Sequence, residues 1–328
     1  MMGDNMQQTV SALLASGKGI LAIDESTSTC TKRFQEVGLE STEENRRAYR
    51  EMLVTTPGLG RFISGAILYE ETLMQKSNGI SFADVLKKQG IIPGIKVDKG
   101  TKELALFPGE TVTEGLDELR ERLKKYAALG AQFAKWRATF SISEKTPSCD
   151  AIHANVHAMA RYAALCQEQK IVPIVEPEVL MEGKHTIEQS YSVTRKVHQI
   201  LFQELDRYNV ALEHLILKTN MVLPGYSGKK AAPEDVAEMT VKCLLHLPAV
   251  LGGVVFLSGG QSDEDATRHL NVINRTYKNK VPWRMTFSYG RGLQREPLKL
   301  WASGNKEKAQ KMLLLRAEEN AKASEGML

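Results

Sequence analysis

Cysteine, aromatic side chains and long apolar runs are all scarce in this chain of 328 residues, and each scarcity excludes something. The four cysteines, Cys30, Cys149, Cys166 and Cys243, lack the paired spacing of a zinc site and are too few to staple so long a chain. Free thiols in a reducing compartment are expected. Phe, Trp and Tyr make up 6% of the residues, no Lys/Arg block is interleaved with them, and the net charge is only +4, so no nucleic-acid partner is expected. No uninterrupted apolar stretch is long enough to span a bilayer, so no membrane partner is expected either. The opening "MMGDNMQQTVSALLASGKGI" lacks the basic segment, apolar run and cleavage site of a secretory signal. It reads as an exposed start leading into a helix of a cytoplasmic protein, or of an organellar stroma if a transit peptide has been removed. Also missing is a G-x-G-x-x-G turn after the first strand, which counts against a doubly wound open sheet.

What is present is a repeat. Apolar residues at 42% and charged residues at 25% are ordinary for a globular protein. Eight short stretches rich in β-branched or other apolar residues recur along the chain: 19–24, 61–68, 91–98, 131–138, 171–180, 214–222, 253–260 and 284–291. Their spacing, roughly 30 to 45 residues, is what a strand, a loop and a returning helix require. Helix signals lie between them. "STEENRRAYREML" opens at Ser41 or Thr42 before acidic residues, "TVTEGLDELRERLKKYAALG" opens at Thr113 and ends at Gly130, and "APEDVAEMTVKCLLHL" opens at Pro233. The alternation predicts a parallel sheet closed into a single (β/α)8 barrel spanning residues 1–328.

Barrel chemistry gathers at the C-terminal ends of the strands. In the order of the eight stretches, those ends carry Asp24, Glu25 and Ser26 on the first, Lys96 and Asp98 on the third, Lys135 and Arg137 on the fourth, Glu176 and Glu178 on the fifth, and Lys218 on the sixth. Side chains alternate along a strand, so each pair spaced by two shares one side and can face charges from its neighbours. Two readings of Lys218 stand at this point. Either the strand stops at Leu217 and the lysine points into water, or the lysine is buried and used. The seventh and eighth stretches end in "LSGGQS" and "SYGRG", where Ser258, Gly259, Gly260, Ser288, Gly290 and Arg291 suit an anion at the usual phosphate position of this barrel. A lysine with another cation beside it is pushed toward the neutral amine that attacks a carbonyl, so Lys218 next to Lys135 suits Schiff-base chemistry, with Glu176 moving protons.

In the order "GILAIDEST", "TEENRRAYR", "ISGAILYEETL", "PGIKVDKG", "FAKWR", "VPIVEPE", "FLSGGQS" and "FSYGR", the chain closely resembles class I fructose-1,6-bisphosphate aldolase over almost its whole length. The resemblance implies that Lys218 forms the Schiff base with dihydroxyacetone phosphate and that Glu176 is its general acid and base. It implies that Asp24 deprotonates or orients the hydroxyl whose proton loss drives cleavage, with Lys135 and Glu178 supporting the charge pattern. One phosphate would meet Ser258, Gly259, Gly260, Ser288, Gly290 and Arg291; the other would meet Ser26, Thr29, Arg33 and Lys96, with Arg137 also at the substrate. The implied partner is a sugar bisphosphate, the implied assembly a homotetramer, and no cofactor or metal is implied.

Three departures carry expectations. No tyrosine follows Tyr289, whereas many members of the family end in one that assists proton exchange, so enamine protonation is expected to be slower or to use another group. Ser28 and Thr29 replace the commoner glycine and serine but keep hydroxyls, so phosphate binding is expected to survive. Thr219 stands where proline is common and is expected to loosen the strand end slightly. His153 and His157, at i and i+4, lack a third metal ligand and read as a helix face. The alternatives are a barrel scaffold that binds protein partners and another Schiff-base aldolase such as transaldolase or deoxyribose-phosphate aldolase.

Overall fold

The computed structural model describes residues 4–328, so the exposed start expected at residues 1–3 lies outside the described residues. The chain runs α1 (Asp4–Leu13), β1 (Gly19–Ile23), α2 (Thr27–Gln35), α3 (Glu43–Val54), β2 (Ile63–Leu68), α4 (Glu70–Met74), β3 (Lys76–Ser77), β4 (Ile80–Ser81), α5 (Phe82–Lys88) and β5 (Ile92–Lys96). It continues through β6 (Thr101–Glu103), β7 (Thr111–Thr113), α6 (Leu119–Ala128), β8 (Phe133–Phe140), α7 (Cys149–Glu168), β9 (Val172–Val179), α8 (Ile187–Arg207) and β10 (Ile216–Thr219). It ends with α9 (Pro233–Leu244), β11 (Gly253–Phe256), α10 (Asp263–Tyr277), β12 (Met285–Tyr289), α11 (Arg291–Ala302) and α12 (Lys306–Ser324). Eight strands close a parallel barrel in the order β1, β12, β11, β10, β9, β8, β5, β2. β3 with β4, and β6 with β7, form small antiparallel hairpins outside it.

Alternation divides the strand residues between two cores. Outward side chains such as Leu21, Ala66, Trp136, Val175, Leu217 and Val254 pack under the helices. Inward ones near the N-terminal mouth, including Ile20, Ile67, Phe133, Ile174, Ile216 and Val255, form a second cluster with Met6, Val10, Leu13 and Leu14 of α1 and its end. α1 therefore plugs the N-terminal mouth. Two glycines make room for it: a Cβ on Gly65 would lie 2.5 Å from Leu13 Cδ2, and one on Gly253 would lie 2.3 Å from Leu14 Cδ1. Ser64 Oγ ties the plug down, donating to the Leu13 carbonyl at 2.6 Å.

Local chemistry sets most element ends. Thr42 caps α3 by accepting from Asn45 N at 3.0 Å, Thr186 and Gln189 form a reciprocal box at the start of α8, and Pro233 opens α9. Two expectations are corrected. The helix expected from Thr113 begins at Leu119, because Thr111–Thr113 pairs as a strand with Thr101–Glu103 and Gly115 and Glu118 take left-handed conformations before the helix. The stretch 214–222 shortens to Ile216–Thr219, because Leu212–His214 winds into a 3-10 turn and the chain leaves the barrel after Thr219. All four cysteines are free. No helix among the described residues is long and apolar enough to cross a membrane.

Candidate active site

The C-terminal mouth is the opposite of the plugged one. It opens into a cavity of about 1340 Å³ whose wall is mostly charged and hydroxyl-bearing. At its floor, Lys218 lies inside β10 and is only 3% exposed, which removes the reading in which the strand stops at Leu217 and the lysine meets water. Its Nζ is 3.1 Å from Glu176 Oε1 on the neighbouring β9. On the far side of Glu176, Lys135 Nζ lies 3.0 Å from Oε2 and 2.6 Å from Asp24 Oδ2. The four groups form a line of alternating sign, Asp24, Lys135, Glu176, Lys218, drawn from three strands and the end of a fourth.

Magnitudes explain why four groups are used. Burying one ion costs several kcal/mol, and a contact at 3 Å in an effective dielectric of about 20 returns about 5 kcal/mol, so a single buried pair hardly breaks even. Three contacts shared by four ions do better. Burial opposes every charge here, yet Lys135 and Lys218 outweigh it at Asp24 and Glu176, whose carboxyls are held below the usual carboxylate range. At Lys135 burial is likewise outweighed, by Asp24 and then Glu176, and its ammonium is held above the usual lysine range. The expectation that Lys135 acts on Lys218 as a bare neighbouring cation is thus corrected: Glu176 stands between them and meets both. Glu176 Oε2, near Lys135 but off the hydrogen-bond direction, is buried with a lone pair unfilled.

Above this floor the wall carries two further groups of donors. On one side Ser258, Gly259, Ser288, Gly290 and Arg291 line the cavity where β11 and β12 end and α11 begins. Arg291 Nη2 donates to the Gly259 carbonyl at 2.5 Å, tying the two loops together, while Ser288 Oγ is buried with no partner among the described residues. Where α2 begins, beyond β1, Ser26 caps the helix, with its hydroxyl 3.0 Å from that of Ser28 and 3.1 Å from that of Thr29. Arg33 is paired with Glu25, and Lys96 Nζ is held 2.6 Å from Asp98 Oδ1. Between the two groups Arg137 Nε meets Glu178 Oε2 at 2.6 Å.

Every residue expected at the site lines this one cavity except Gly260. That glycine is turned under Tyr226, where an added Cβ would fall 1.3 Å from the phenol oxygen, so its lack of a side chain makes room for a tyrosine rather than for an anion. Thr219, expected to loosen the strand end, is fully buried and lies 3.1 Å from His198 Nε2. Tyr289 is fully buried on the helix side, its hydroxyl donating to the Ala266 carbonyl at 2.9 Å. His157 faces Glu204 at 2.9 Å on the outside of the barrel, and His153 is exposed beside it. Strand-end reasoning found Arg291 but missed the two cations that α11 adds behind it: Arg295 and Lys299 fall at i+4 and i+8 from Arg291 on one helix face, a spacing visible in the sequence.

Relatives of the chain agree with one another. The family model for "Fructose-bisphosphate aldolase class-I" matches residues 5–328. A probable fructose-bisphosphate aldolase class 1 of Xanthomonas axonopodis pv. citri is 55% identical over 329 residues, covering 98% of each chain. The cytosolic fructose-bisphosphate aldolase 4 of Arabidopsis thaliana is 54% identical over 315 residues, covering 94% of this chain and 80% of its own. Among solved structures, fructose-bisphosphate aldolase from Plasmodium falciparum, in complex with TRAP and a small-molecule inhibitor, superposes with a TM-score of 0.96 at 47% identity, covering 99% of this chain and 95% of that one. With a family match running from residue 5 to residue 328 and relatives above half identity over nearly the whole length, the chain belongs to the class I fructose-bisphosphate aldolases, lyases that work through a Schiff base.

Proposed function

We propose that this enzyme cleaves fructose 1,6-bisphosphate reversibly to dihydroxyacetone phosphate and glyceraldehyde 3-phosphate, with Lys218 as the nucleophile and the whole chain acting as one barrel domain. The observation that carries the assignment is the buried amine of Lys218, 3.1 Å from Glu176, in a cavity whose wall carries hydroxyl, backbone and cationic donors suited to anions.

The steps follow from the charge line. Lys218 passes a proton to Glu176, and the free amine adds to the C2 carbonyl; the new C–N bond is balanced by a proton moving from nitrogen to oxygen, which gives a carbinolamine. Glu176 returns its proton to that hydroxyl, water leaves, and a protonated imine remains. Asp24, held ionised by Lys135, takes the proton of the C4 hydroxyl. The C3–C4 electron pair then flows into the imine, releasing the aldehyde and leaving an enamine. Protonation at C3 and hydrolysis free the ketone product and restore Lys218. Lys135 keeps its proton throughout and, with Glu178 and Arg137 nearby, steadies the carboxylates. The imine is the electron sink, so activity is expected to survive dialysis against EDTA.

Ser258, Gly259, Ser288, Gly290 and Arg291 hold the phosphate on C1, and Ser26, Thr29, Arg33 and Lys96 hold the one on C6, for which Arg33 must exchange Glu25 for substrate. Two phosphate sites favour a bisphosphate over the substrates of other Schiff-base aldolases. A cytoplasmic location is supported by relatives whose names call them cytosolic or cytoplasmic. A homotetramer is proposed from the family resemblance alone. The test of the reading is borohydride reduction with dihydroxyacetone phosphate, followed by peptide mass mapping. An adduct on Lys218 is expected, and an adduct elsewhere, or none on active enzyme, would overturn the assignment.

A further inference from the structure

On one side of Lys218 the strand ladder stops early. β10 pairs with β11 as far as Thr219, but with β9 only at Ile216 and Leu217. Beyond the Leu217–Val175 pair this seam of the barrel has no further ladder, and the strand across it is the one that carries Glu176. With the ladder held on the β11 side only, a roll of β10 about its axis would swing the Lys218 amine away from its partner.

Side chains close the seam where backbone does not. Asn220 Oδ1 accepts from Val179 N, at the end of β9, at 2.9 Å. Thr219 points outward, opposite to Lys218, and its Oγ1 lies 3.1 Å from Nε2 of His198 on α8. Both residues are buried, at 0% and 2% exposure. The set is closed: Thr219 Oγ1 also reaches the Asn220 carbonyl at 3.3 Å, and His198 Nδ1 faces Cys243 Sγ of α9 at 3.9 Å. With Nε2–H donating to Thr219, the Thr219 hydroxyl is left to donate onward, and Nδ1 is left to accept from the thiol. Burial holds the imidazole pKa down at about 4, so the ring is neutral and can serve both roles.

We propose that Thr219 and His198 are positioning residues for Lys218, their hydrogen bond replacing the missing β9 ladder and fixing the roll of β10 that sets the amine against Glu176. Neither touches substrate. The proposal rests on Lys218 being the nucleophile.

The test is the rate at which borohydride traps the dihydroxyacetone phosphate adduct, followed on Lys218 by mass mapping, together with kcat, KM and melting temperature. Thr219→Val keeps the shape and removes the hydroxyl; it is expected to slow trapping and kcat about tenfold with KM within about twofold, a modest share of what a misplaced reacting group can lose. Thr219→Ser is expected to restore the wild-type rate. His198→Met removes the other partner and is expected to match Thr219→Val, and the double variant to be no slower than either single one. Trapping at the wild-type rate in folded Thr219→Val or His198→Met, or additive losses in the double variant, would overturn the proposal. Failure of wild-type enzyme to give any adduct on Lys218 would instead overturn the assignment of the nucleophile, so the two failures are distinguishable.

Discussion

The two mouths of the barrel are built from the same strands and meet opposite requirements. At the N-terminal mouth, Ile20, Ile67, Phe133 and Val255 close on the apolar face of α1. At the C-terminal mouth, the next inward positions of several of those strands are Lys135, Glu176 and Lys218, two residues beyond Phe133, Ile174 and Ile216. One step of the strand period turns a plug into a reaction floor. The lesson is that stability and chemistry are separated along the strand axis, so a substitution at one end is expected to leave the other end's property almost untouched.

The largest test of that separation is Lys218→Met, which keeps the apolar stem and removes the amine. Turnover is expected to fall by about 10⁴-fold or more, while Glu176 keeps Lys135 as a partner and the melting temperature changes little. Steady-state kinetics and a thermal melt on the same sample check both halves. Leu13→Ala works at the other mouth: removing a fully buried side chain seated over Gly65 is expected to cost about 3 kcal/mol of unfolding free energy, with kcat unchanged. Urea unfolding measures it.

Acid should act through His198, in the helix layer between the two ends. Its folded pKa is about 4 against an ordinary 6.5. Between those values the unfolded chain binds a proton that the folded one refuses, so stability is expected to fall by about 3 kcal/mol as pH drops from 6.5 to 4 and to level off below that as far as this group is concerned. His198→Met is expected to flatten that limb of the pH–stability curve; an unchanged slope would place the loss elsewhere. The smallest effect is expected at Ser288, whose buried hydroxyl has no partner among the described residues. Ser288→Ala is expected to raise KM for phosphorylated ketose about tenfold and leave the melting temperature the same or slightly higher, since no protein hydrogen bond is lost.

Much of this was legible in the sequence because barrel strands announce themselves twice, by apolar β-branched runs and by their spacing. Strand-end charges then had only one place to go. What was not legible depended on partners far apart in the chain. The lysine spacing placed Lys135 and Lys218 together, but only the closed barrel interposes Glu176 between them. Gly260 read as a phosphate glycine because "SGG" carries no sign of Tyr226, which reaches it from another loop. The helix expected at Thr113 failed because a capping pattern and a strand of Thr-Val-Thr look alike until the pairing partner at Thr101–Glu103 is known. Thr219 read as a weak point because His198 lies on a different element, 21 residues earlier.

The plug at the N-terminal mouth also bears on the order of assembly. α1 is synthesised before every strand of the barrel, yet its seat includes Gly252 and Gly253, whose missing side chains accommodate Val10 and Leu14 and which are synthesised more than two hundred residues later. The helix's complete seat therefore needs those later strands, and its docking is a long-range contact of the kind that slows folding. Seen in time rather than in space, α1 acts as the latch that records that the ring has closed.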